Sequence, residues 1–282
     1  MIKLVNINHT YNEDTVMQVS AIKNINLEIK DGEFIGLIGH TGSGKSTLIQ
    51  HLNGLLKPTS GNIYYDDEDV HKKGYKKSKL RSEVGLVFQY PEYQLFEDTV
   101  FKDVSFGPKN MGLDKAEIEK RVIESLNMVN MGEEYYNKSP FLLSGGEKRR
   151  VAIAGILAMK PKFLVLDEPA AGLDPVGRSN ILKGISSLNK SGIGIIMVSH
   201  SMEDVARYAN RIIVMNKGEI IYNDTPEAVF SHSKELEEMG LSIPTMTKLA
   251  NKLVEGGLKI NSSIFTVESM YNELLKLGDS ND

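Results

Sequence analysis

The segment that most constrains this fold is the run GHTGSGKS at positions 39–46. It follows the apolar stretch Phe34–Ile38, which predicts a buried strand, and it precedes apolar residues at helical spacing that end at Gly54. A glycine-rich loop between a strand and a helix points backbone N–H groups at bound phosphate, which a chance glycine turn does not. We therefore predict a nucleotide site formed by Gly39, Thr41, Gly42, Ser43, Gly44, Lys45, Ser46 and Thr47.

Two adjacent carboxylates, Asp167 and Glu168, follow a second apolar run at positions 163–166. The carboxyl ends of parallel strands are where an open α/β sheet binds its ligands. Asp167 could therefore hold Mg²⁺ together with the Ser46 hydroxyl, while Glu168 deprotonates the attacking water. A solvent-facing acidic turn before Pro169 is the alternative, and the phosphate loop upstream favours the catalytic interpretation.

Periodicity along the chain predicts an α/β fold. Alternating apolar residues near the N-terminus indicate an antiparallel β layer, and later apolar runs separated by helical segments indicate a parallel core sheet. Helical spacing predicts an insert at about residues 90–160. We expect a main domain at residues 1–224 and a small helical appendage at residues 225–282.

Composition excludes several classes of protein. The 282 residues contain no cysteine, so disulfides and thiolate metal sites are absent. No apolar run approaches the roughly 18 residues of a membrane-spanning helix, and the N-terminus lacks a secretory signal pattern, so we expect a cytoplasmic location. The net charge of −4 argues against nucleic-acid binding, and the basic cluster between Lys72 and Arg81 is expected to be a solvated loop.

The run LSGGE at positions 143–147 narrows the class further, because phosphate loops with acidic strand ends occur in many nucleotidases. The run is similar to the signature of the ATP-binding-cassette family. Four further marks of that family occur in order at Tyr11, Gln89, Ala171–Asp174 and His200. The resemblance covers about residues 1–224 and implies a P-loop NTPase of the cassette type that binds ATP with Mg²⁺.

The resemblance also implies roles that local patterns do not define. It places Tyr11 against the adenine, although a tyrosine here could simply fill a strand. It assigns Gln89 to the magnesium ion and, with Glu168 and His200, to the catalytic set. His200 would contact the γ-phosphate, whereas a histidine taken alone is more often a structural hydrogen-bonding residue.

The signature has a physical requirement of its own. Ser144, the amides of Gly145 and Gly146 and the start of the following helix form an anion site without a phosphate loop. As local structure the same residues would also make an ordinary helix N-cap. In the family, the phosphate belongs to ATP held by a facing subunit, so the resemblance implies a second cassette ATPase, paralogous or identical, with a paralogue favoured.

Three longer stretches, at positions 38–42, 50–61 and 89–96, resemble one branch of the family closely. That branch is the ATPases of energy-coupling factor transporters, which import vitamins or transition-metal ions. The resemblance implies a transmembrane coupling protein, a substrate-capturing membrane protein and a peripheral position on the cytoplasmic face of the membrane. It also implies that the surface at positions 90–96, with Leu95 if exposed, docks the transmembrane protein; interior packing is the alternative.

Functions other than transport fit the sequence less well. Cassette ATPases that act on chromosomes need long coiled coils between Lys45 and Ser144, and this chain has no room for them. Translation-associated relatives typically carry two cassettes, whereas no motif here occurs twice. A non-hydrolysing regulator would be favoured by loss of Glu168 or His200, and both residues are present. An ATPase of another cassette transporter type stays open, as does the transported substrate.

Overall fold

Two β-sheets organise the part of the chain that the computed structural model describes, residues 1–279. The smaller sheet is antiparallel, with the order β2-β1-β4-β5 when strands are numbered along the chain. Its strands are β1 (Ile2–Tyr11), β2 (Val19–Ile29), β4 (Ser60–Tyr65) and β5 (Glu68–Asp69). The predicted antiparallel layer near the N-terminus is thus present.

The larger sheet has six strands in the order β10-β9-β3-β8-β7-β6. Every pairing is parallel except that of β10 with β9, which form an antiparallel hairpin at the sheet edge. Its strands are β3 (Phe34–Ile38), β6 (Val84–Val87), β7 (Phe163–Asp167), β8 (Gly194–Val198), β9 (Arg211–Asn216) and β10 (Glu219–Asp224). The parallel core sheet is confirmed, and the sequence reading missed β10.

The alternation of β1 contains an irregularity that the structure explains. Ile2, Leu4 and Ile7 are all buried, although a regular strand would turn positions 4 and 7 to opposite faces. The pairing register shifts between Leu4 and Ile7, and Asn6 between them has a φ of 49°. This β-bulge returns Ile7 to the core face.

Helices cover the larger sheet and form the insert and the appendage. Their bounds are α1 (Lys45–Leu52), α2 (Lys77–Glu83), α3 (Val100–Asn110), α4 (Lys115–Met128), α5 (Gly145–Leu157), α6 (Pro175–Lys190), α7 (Met202–Tyr208), α8 (Pro226–Ser231), α9 (Ser233–Glu238), α10 (Thr245–Glu255) and α11 (Val267–Asp279). The insert comprises α3, α4 and α5 with short 3₁₀ turns. The expectation of a solvated loop for the whole basic cluster was wrong, because its second half forms α2, which buries Leu80.

The core divides into two clusters on opposite faces of the larger sheet. One joins the sheet to the insert and to α6–α9, and the other joins it to the small sheet and α1. A third small cluster of Ala250, Ile264 and Met270 lies within the appendage, whose last predicted residues, 280–282, fall outside the described part of the chain. No helix within residues 1–279 is both long enough and apolar enough to cross a membrane.

Candidate active site

Four neighbouring parallel strands end at the same edge of the larger sheet, and each is followed by a predicted site segment. The glycine-rich loop follows β3, and His200 follows β8. Asp167 ends β7 and Glu168 comes next, while Gln89 lies two residues beyond β6. Because these strands are adjacent and in register, the topology brings together residues that are far apart in sequence.

The loop after β3 has a backbone that its glycines permit. Gly42 and Gly44 have φ values of 82° and 101°, a region that side chains with a Cβ disfavour. Gly44 is also the N-cap of α1, so the first free N–H groups of that helix face the loop. The arrangement is the anion-binding geometry expected of a phosphate loop.

Two buried polar side chains lie inside this loop. The Lys45 ammonium donates to the carbonyl oxygens of Gly39 and His40, at 2.7 and 3.0 Å. Burial lowers the pKa of Lys45, an effect that the carboxylates of Glu168 and Asp167 oppose. The Ser43 hydroxyl is fully buried and has no hydrogen-bond partner within residues 1–279. Buried polar groups are normally paired, and a bound anion would supply an acceptor for the Ser43 hydroxyl.

Glu168 occupies a strained and desolvated position. Its φ is 52°, and its backbone N–H donates to the Val198 carbonyl at 3.1 Å. Its Oε1 lies 3.3 Å from His200 Nε2 without hydrogen-bond geometry, and has no other hydrogen-bond partner in the described chain. Burial raises the pKa of Glu168, while His200 partly opposes the rise. A carboxylate with a raised pKa is better suited to accept a proton at neutral pH.

Asp167, Ser46 and Gln89 offer oxygen donors at the same edge. Burial raises the pKa of Asp167, and the nearby Lys45 ammonium opposes that shift. Ser46 and Gln89 are exposed, so both are accessible to a bound ligand. A carboxylate, a hydroxyl and an amide are hard oxygen ligands of the kind that Mg²⁺ uses beside phosphate.

Tyr11 ends β1 and contacts the helix that follows the phosphate loop. Its hydroxyl lies 3.2 Å from Thr47 Oγ1 in the first turn of α1. Its ring packs edge-on against His9, with centroids 4.5 Å apart, and 37% of the residue is exposed. An aromatic face is thus fixed beside the loop and open to solvent.

The signature residues start α5 and form a capping box. The Ser144 hydroxyl accepts the Glu147 N–H at 3.4 Å and donates to Glu147 Oε2 at 2.7 Å, and the Ser144 N–H donates to the same oxygen at 2.8 Å. The Tyr135 hydroxyl donates to Glu147 Oε1 at 2.9 Å. These hydrogen bonds lower the pKa of Glu147, with Ser144 as the largest cause. Gly145 lies open to solvent at the helix start.

The signature and the Glu168–His200 pair line separate concave regions of the surface. Ser144, Gly145 and Gly146 line a cavity of about 450 Å³ together with residues 172–174, 176 and 177. Glu168 and His200 line a different cavity of about 380 Å³. The structure therefore brings together Lys45 of the phosphate loop, Asp167, Glu168 and His200, and the signature lines a cavity that none of these four residues lines.

A groove of about 760 Å³ lies between the insert and α2. Phe96 and Phe106 meet edge to face at one wall, with centroids 5.0 Å apart, and are 56% and 45% exposed. Leu95 is only 7% exposed and packs in the core, so at this residue the alternative of interior packing is correct. Tyr90 and Tyr93 are exposed, so the stretch at positions 90–96 alternates between surface and interior.

Sequence reasoning missed one buried residue near the site. Arg149 on α5 is 2% exposed and bonds to Glu92 and to the carbonyls of Pro169 and Ala171. A buried charged residue must find partners, but the sequence does not say which ones. Only the basic run after the signature hinted at it.

Fold and site together define a P-loop nucleoside triphosphatase of the cassette type, with a phosphate loop, an acidic strand end and a separate signature helix. A family model described as "ABC transporter" matches residues 22–171. The chain belongs to the ABC transporter family, within the energy-coupling factor transporter ATP-binding proteins. It is an ATP-hydrolysing subunit whose ATPase activity is coupled to transport.

Two named proteins are similar to this chain over nearly their whole length. "Energy-coupling factor transporter ATP-binding protein EcfA2" of Clostridium tetani is 56% identical over 278 residues, which are 98% of this chain and 96% of that protein. The protein of the same name from Clostridium perfringens is 55% identical over 283 residues, covering 100% of this chain and 99% of that protein.

Solved structures agree with this placement. CbiO1 from Clostridium perfringens, described as part of the ABC transporter complex cbiONQ, is 42% identical with a TM-score of 0.74, covering 84% of this chain and 93% of that one. The cassette MJ0796, solved as a dimer bound to ADP and Pi, is 32% identical with a TM-score of 0.71, covering 80% of this chain and 99% of that one.

Proposed function

We propose that this chain powers the uptake of a small nutrient, of the vitamin or transition-metal class, by hydrolysing ATP at the cytoplasmic face of a membrane. The observation that carries the proposal is the convergence of Lys45, Asp167, Glu168 and His200 at one sheet edge, in a chain more than half identical to energy-coupling factor ATPases. Selection of the nutrient belongs to a separate substrate-capturing membrane protein.

The phosphates of ATP bind in the loop after β3. An arriving phosphate supplies acceptors for the buried Ser43 hydroxyl and for the Lys45 ammonium, which now satisfies itself on two loop carbonyls. The N–H groups at the start of α1 complete the anion site. Tyr11 offers its exposed ring face to the adenine, held in place through Thr47.

A magnesium ion fits the oxygen donors beside this loop. Ser46, Asp167 and Gln89 would hold it, with phosphate oxygens and water completing the coordination. When bound, the ion supplies charge neutralisation between the β- and γ-phosphates. No cluster of three acidic or histidine side chains is required for such a site, and none occurs in residues 1–279.

Hydrolysis follows from the position of Glu168. Its carboxylate accepts a proton from water as the water oxygen attacks the γ-phosphorus and the bond to the β-phosphate oxygen breaks. The protonated carboxyl then returns the proton to solvent. His200, whose side chain is 59% exposed and lies beside Glu168, orients the γ-phosphate from the adjacent strand.

The signature serves a second subunit. Ser144 and the Gly145 and Gly146 amides face their own cavity, away from Lys45, so the phosphate they bind comes from a facing cassette. Two chains then share two ATP molecules, and a paralogue of this chain is the favoured partner. The dimeric cassette MJ0796 supports this arrangement by analogy.

The groove beside the insert receives the transmembrane coupling protein. Its exposed aromatic wall at Phe96 and Phe106 suits the apolar face of a short helix, and Lys79 and Arg81 of α2 line it as cations. The groove wall begins at Gln94, five residues after Gln89, which follows β6 at the proposed ATP site. Closure around ATP can therefore be transmitted to the membrane subunit.

The test of this function is Glu168→Gln in the assembled transporter. The change keeps the shape of the side chain but removes the base, so hydrolysis should fall by about 10² to 10⁴ while ATP still binds. Glu203→Gln, which removes a carboxylate that also lines the Glu168 cavity, serves as the matched control. Near-normal ATP turnover by Glu168→Gln would refute the assignment of the base.

A further inference from the structure

Arg149 is a fully enclosed cation whose hydrogen bonds join three segments of the site. Its Nε and Nη2 donate to the two carboxylate oxygens of Glu92, at 3.3 and 3.1 Å. Its Nη1 donates to the carbonyls of Pro169 and Ala171, at 3.0 and 2.7 Å. A planar guanidinium can satisfy a carboxylate and two carbonyls at fixed angles at once, which a lysine cannot.

Each of the three segments has a different task in the proposed function. Arg149 lies on α5, whose first turn carries the signature. Glu92 lies in the 3₁₀ turn Pro91–Gln94, which leads into the groove wall at positions 94–96. Pro169 directly follows Glu168. One side chain therefore ties the groove wall, the signature helix and the loop of the base together.

The backbone between the carbonyls bound by Arg149 and Glu168 has little conformational freedom. A single proline with a fixed φ separates Glu168 from the rest of the loop, and Glu168 itself is held at a φ of 52°. Its N–H is fixed by Val198 on one side, and the two carbonyls bound by Arg149 fix the loop on the other. A shift of the Arg149 guanidinium therefore moves the backbone beside the catalytic carboxylate.

Stability alone does not account for this pair. Burying both charges costs desolvation free energy, and a buried ion pair is often no more stabilising than apolar residues of the same size. The Glu92 side chain is 17% exposed and lies two residues before Gln94, where the groove wall begins, so the pair is close in sequence to the proposed docking site. The geometry of the pair suits it to transmit a movement of the Glu92 turn to the loop after Glu168.

We infer that Arg149 is a positioning residue that, through Glu92, sets the placement of Glu168 according to the state of the groove. The inference rests on the proposed function in taking Glu168 as the base and the groove as the docking site. Arg149 itself touches neither ATP nor the reacting atoms; it acts through the loop after Glu168.

The decisive variant is Glu92→Gln, which keeps the side-chain shape but removes the charge that holds Arg149. In the full-length chain assembled as the ATPase dimer, kcat should fall about tenfold with KM for ATP changed less than about twofold, because the phosphate loop is untouched while the base is misplaced. The matched control is Glu117→Gln, which breaks a comparable pair with Arg121 at 2.6 Å in the same helical insert. That control should leave both constants unchanged.

A second measurement reports directly on the position of the turn that contains Glu92. The chain contains no tryptophan, so Tyr93→Trp gives a single reporter at an 85% exposed position in the 3₁₀ turn that holds Glu92. Adding ATP should shift its emission, and Glu92→Gln should abolish the shift. An unchanged kcat and an unchanged ATP-induced shift in Glu92→Gln would overturn the inference, as would equal effects of Glu117→Gln.

A charge exchange separates positioning from simple pairing. Glu92→Arg combined with Arg149→Glu restores an ion pair but leaves the carbonyls of Pro169 and Ala171 without donors, so kcat should stay low. Recovery of kcat would show that the pair matters only for stability and would overturn the inference. If Glu168→Gln retained turnover instead, the proposed function would fail independently of these results.

Discussion

Two glycines of the phosphate loop provide a matched test of how tightly the loop is fixed against the small sheet. Gly42 and Gly44 both have positive φ, at 82° and 101°, so alanine is strained at either position. They differ in surroundings. A Cβ on Gly42 would meet nothing within 4 Å, whereas one on Gly44 would lie 2.6 Å from the Ala21 carbonyl oxygen and 2.8 Å from Ile22 Cγ2.

The expected magnitudes follow from this difference. A left-handed conformation costs a residue with a Cβ about 1–2 kcal/mol, and this cost is common to both variants. Gly44→Ala also forces the backbone of β2 away, and overpacking of this kind costs about 1–3 kcal/mol more. Gly42→Ala should thus lose about 1–2 kcal/mol of unfolding free energy, and Gly44→Ala about 2–5 kcal/mol.

Urea unfolding of the nucleotide-free chain measures both values without any contribution from bound phosphate. Both substitutions reduce the entropy of the unfolded chain equally, so that effect cancels in the comparison. Equal losses for the two variants would refute the reasoning, because they would mean that the Ala21 carbonyl yields freely and that β2 does not fix the loop.

Three further results are expected. First, burial lowers the pKa of His51 from 6.5 to about 4, so that below pH 6.5 the unfolded chain binds a proton that the folded chain excludes. The free energy of unfolding should therefore fall by about 2 kcal/mol between pH 7.5 and pH 5. Urea unfolding of His51→Gln should show a flatter pH profile. Second, in a complex with a paralogous partner, Lys45→Ala should abolish ATP trapping at the site built on this chain's own phosphate loop. Gly146→Asp should abolish ATP trapping at the site built on the partner's phosphate loop. Loss of trapping at the same site in both variants would contradict shared sites. Third, Phe96→Asp on the exposed groove wall should leave the protein folded but uncouple ATP hydrolysis from uptake in a transport assay. Leu95→Asp, at a buried position, should unfold the chain as measured by circular dichroism. The reverse pattern would exclude the groove as the docking site.

Local patterns accounted for much of the fold. The strand at Phe34–Ile38 occurs with the predicted bounds, because apolar periodicity is a property of short segments. The phosphate loop was predictable for the same reason: its glycines, lysine and hydroxyl are consecutive. Convergence of the loop with Asp167 and Glu168 followed from one general rule of parallel sheets.

Features set by long-range packing were not predictable in this way. Leu95 belongs to a short apolar stretch, and only the tertiary fold decides which of its residues face inward. The partnership of Arg149 with Glu92 joins positions 57 apart, and nothing in either local sequence specifies it. Most of the basic residues thought to lie in a loop sit at or near α2, where Leu80 packs into the core.

The capping box at the signature has a consequence for the order of events during turnover. Before a second subunit arrives, the Ser144 hydroxyl proton is already committed to Glu147, whose other oxygen is held by Tyr135. In the proposed shared site, a phosphate from the facing cassette competes with this internal carboxylate for the same proton and lies near its negative charge. In that arrangement part of the binding free energy of ATP is consumed in displacing Glu147. We therefore expect Glu147 to oppose closure of the two cassettes and to favour their separation once the γ-phosphate has left.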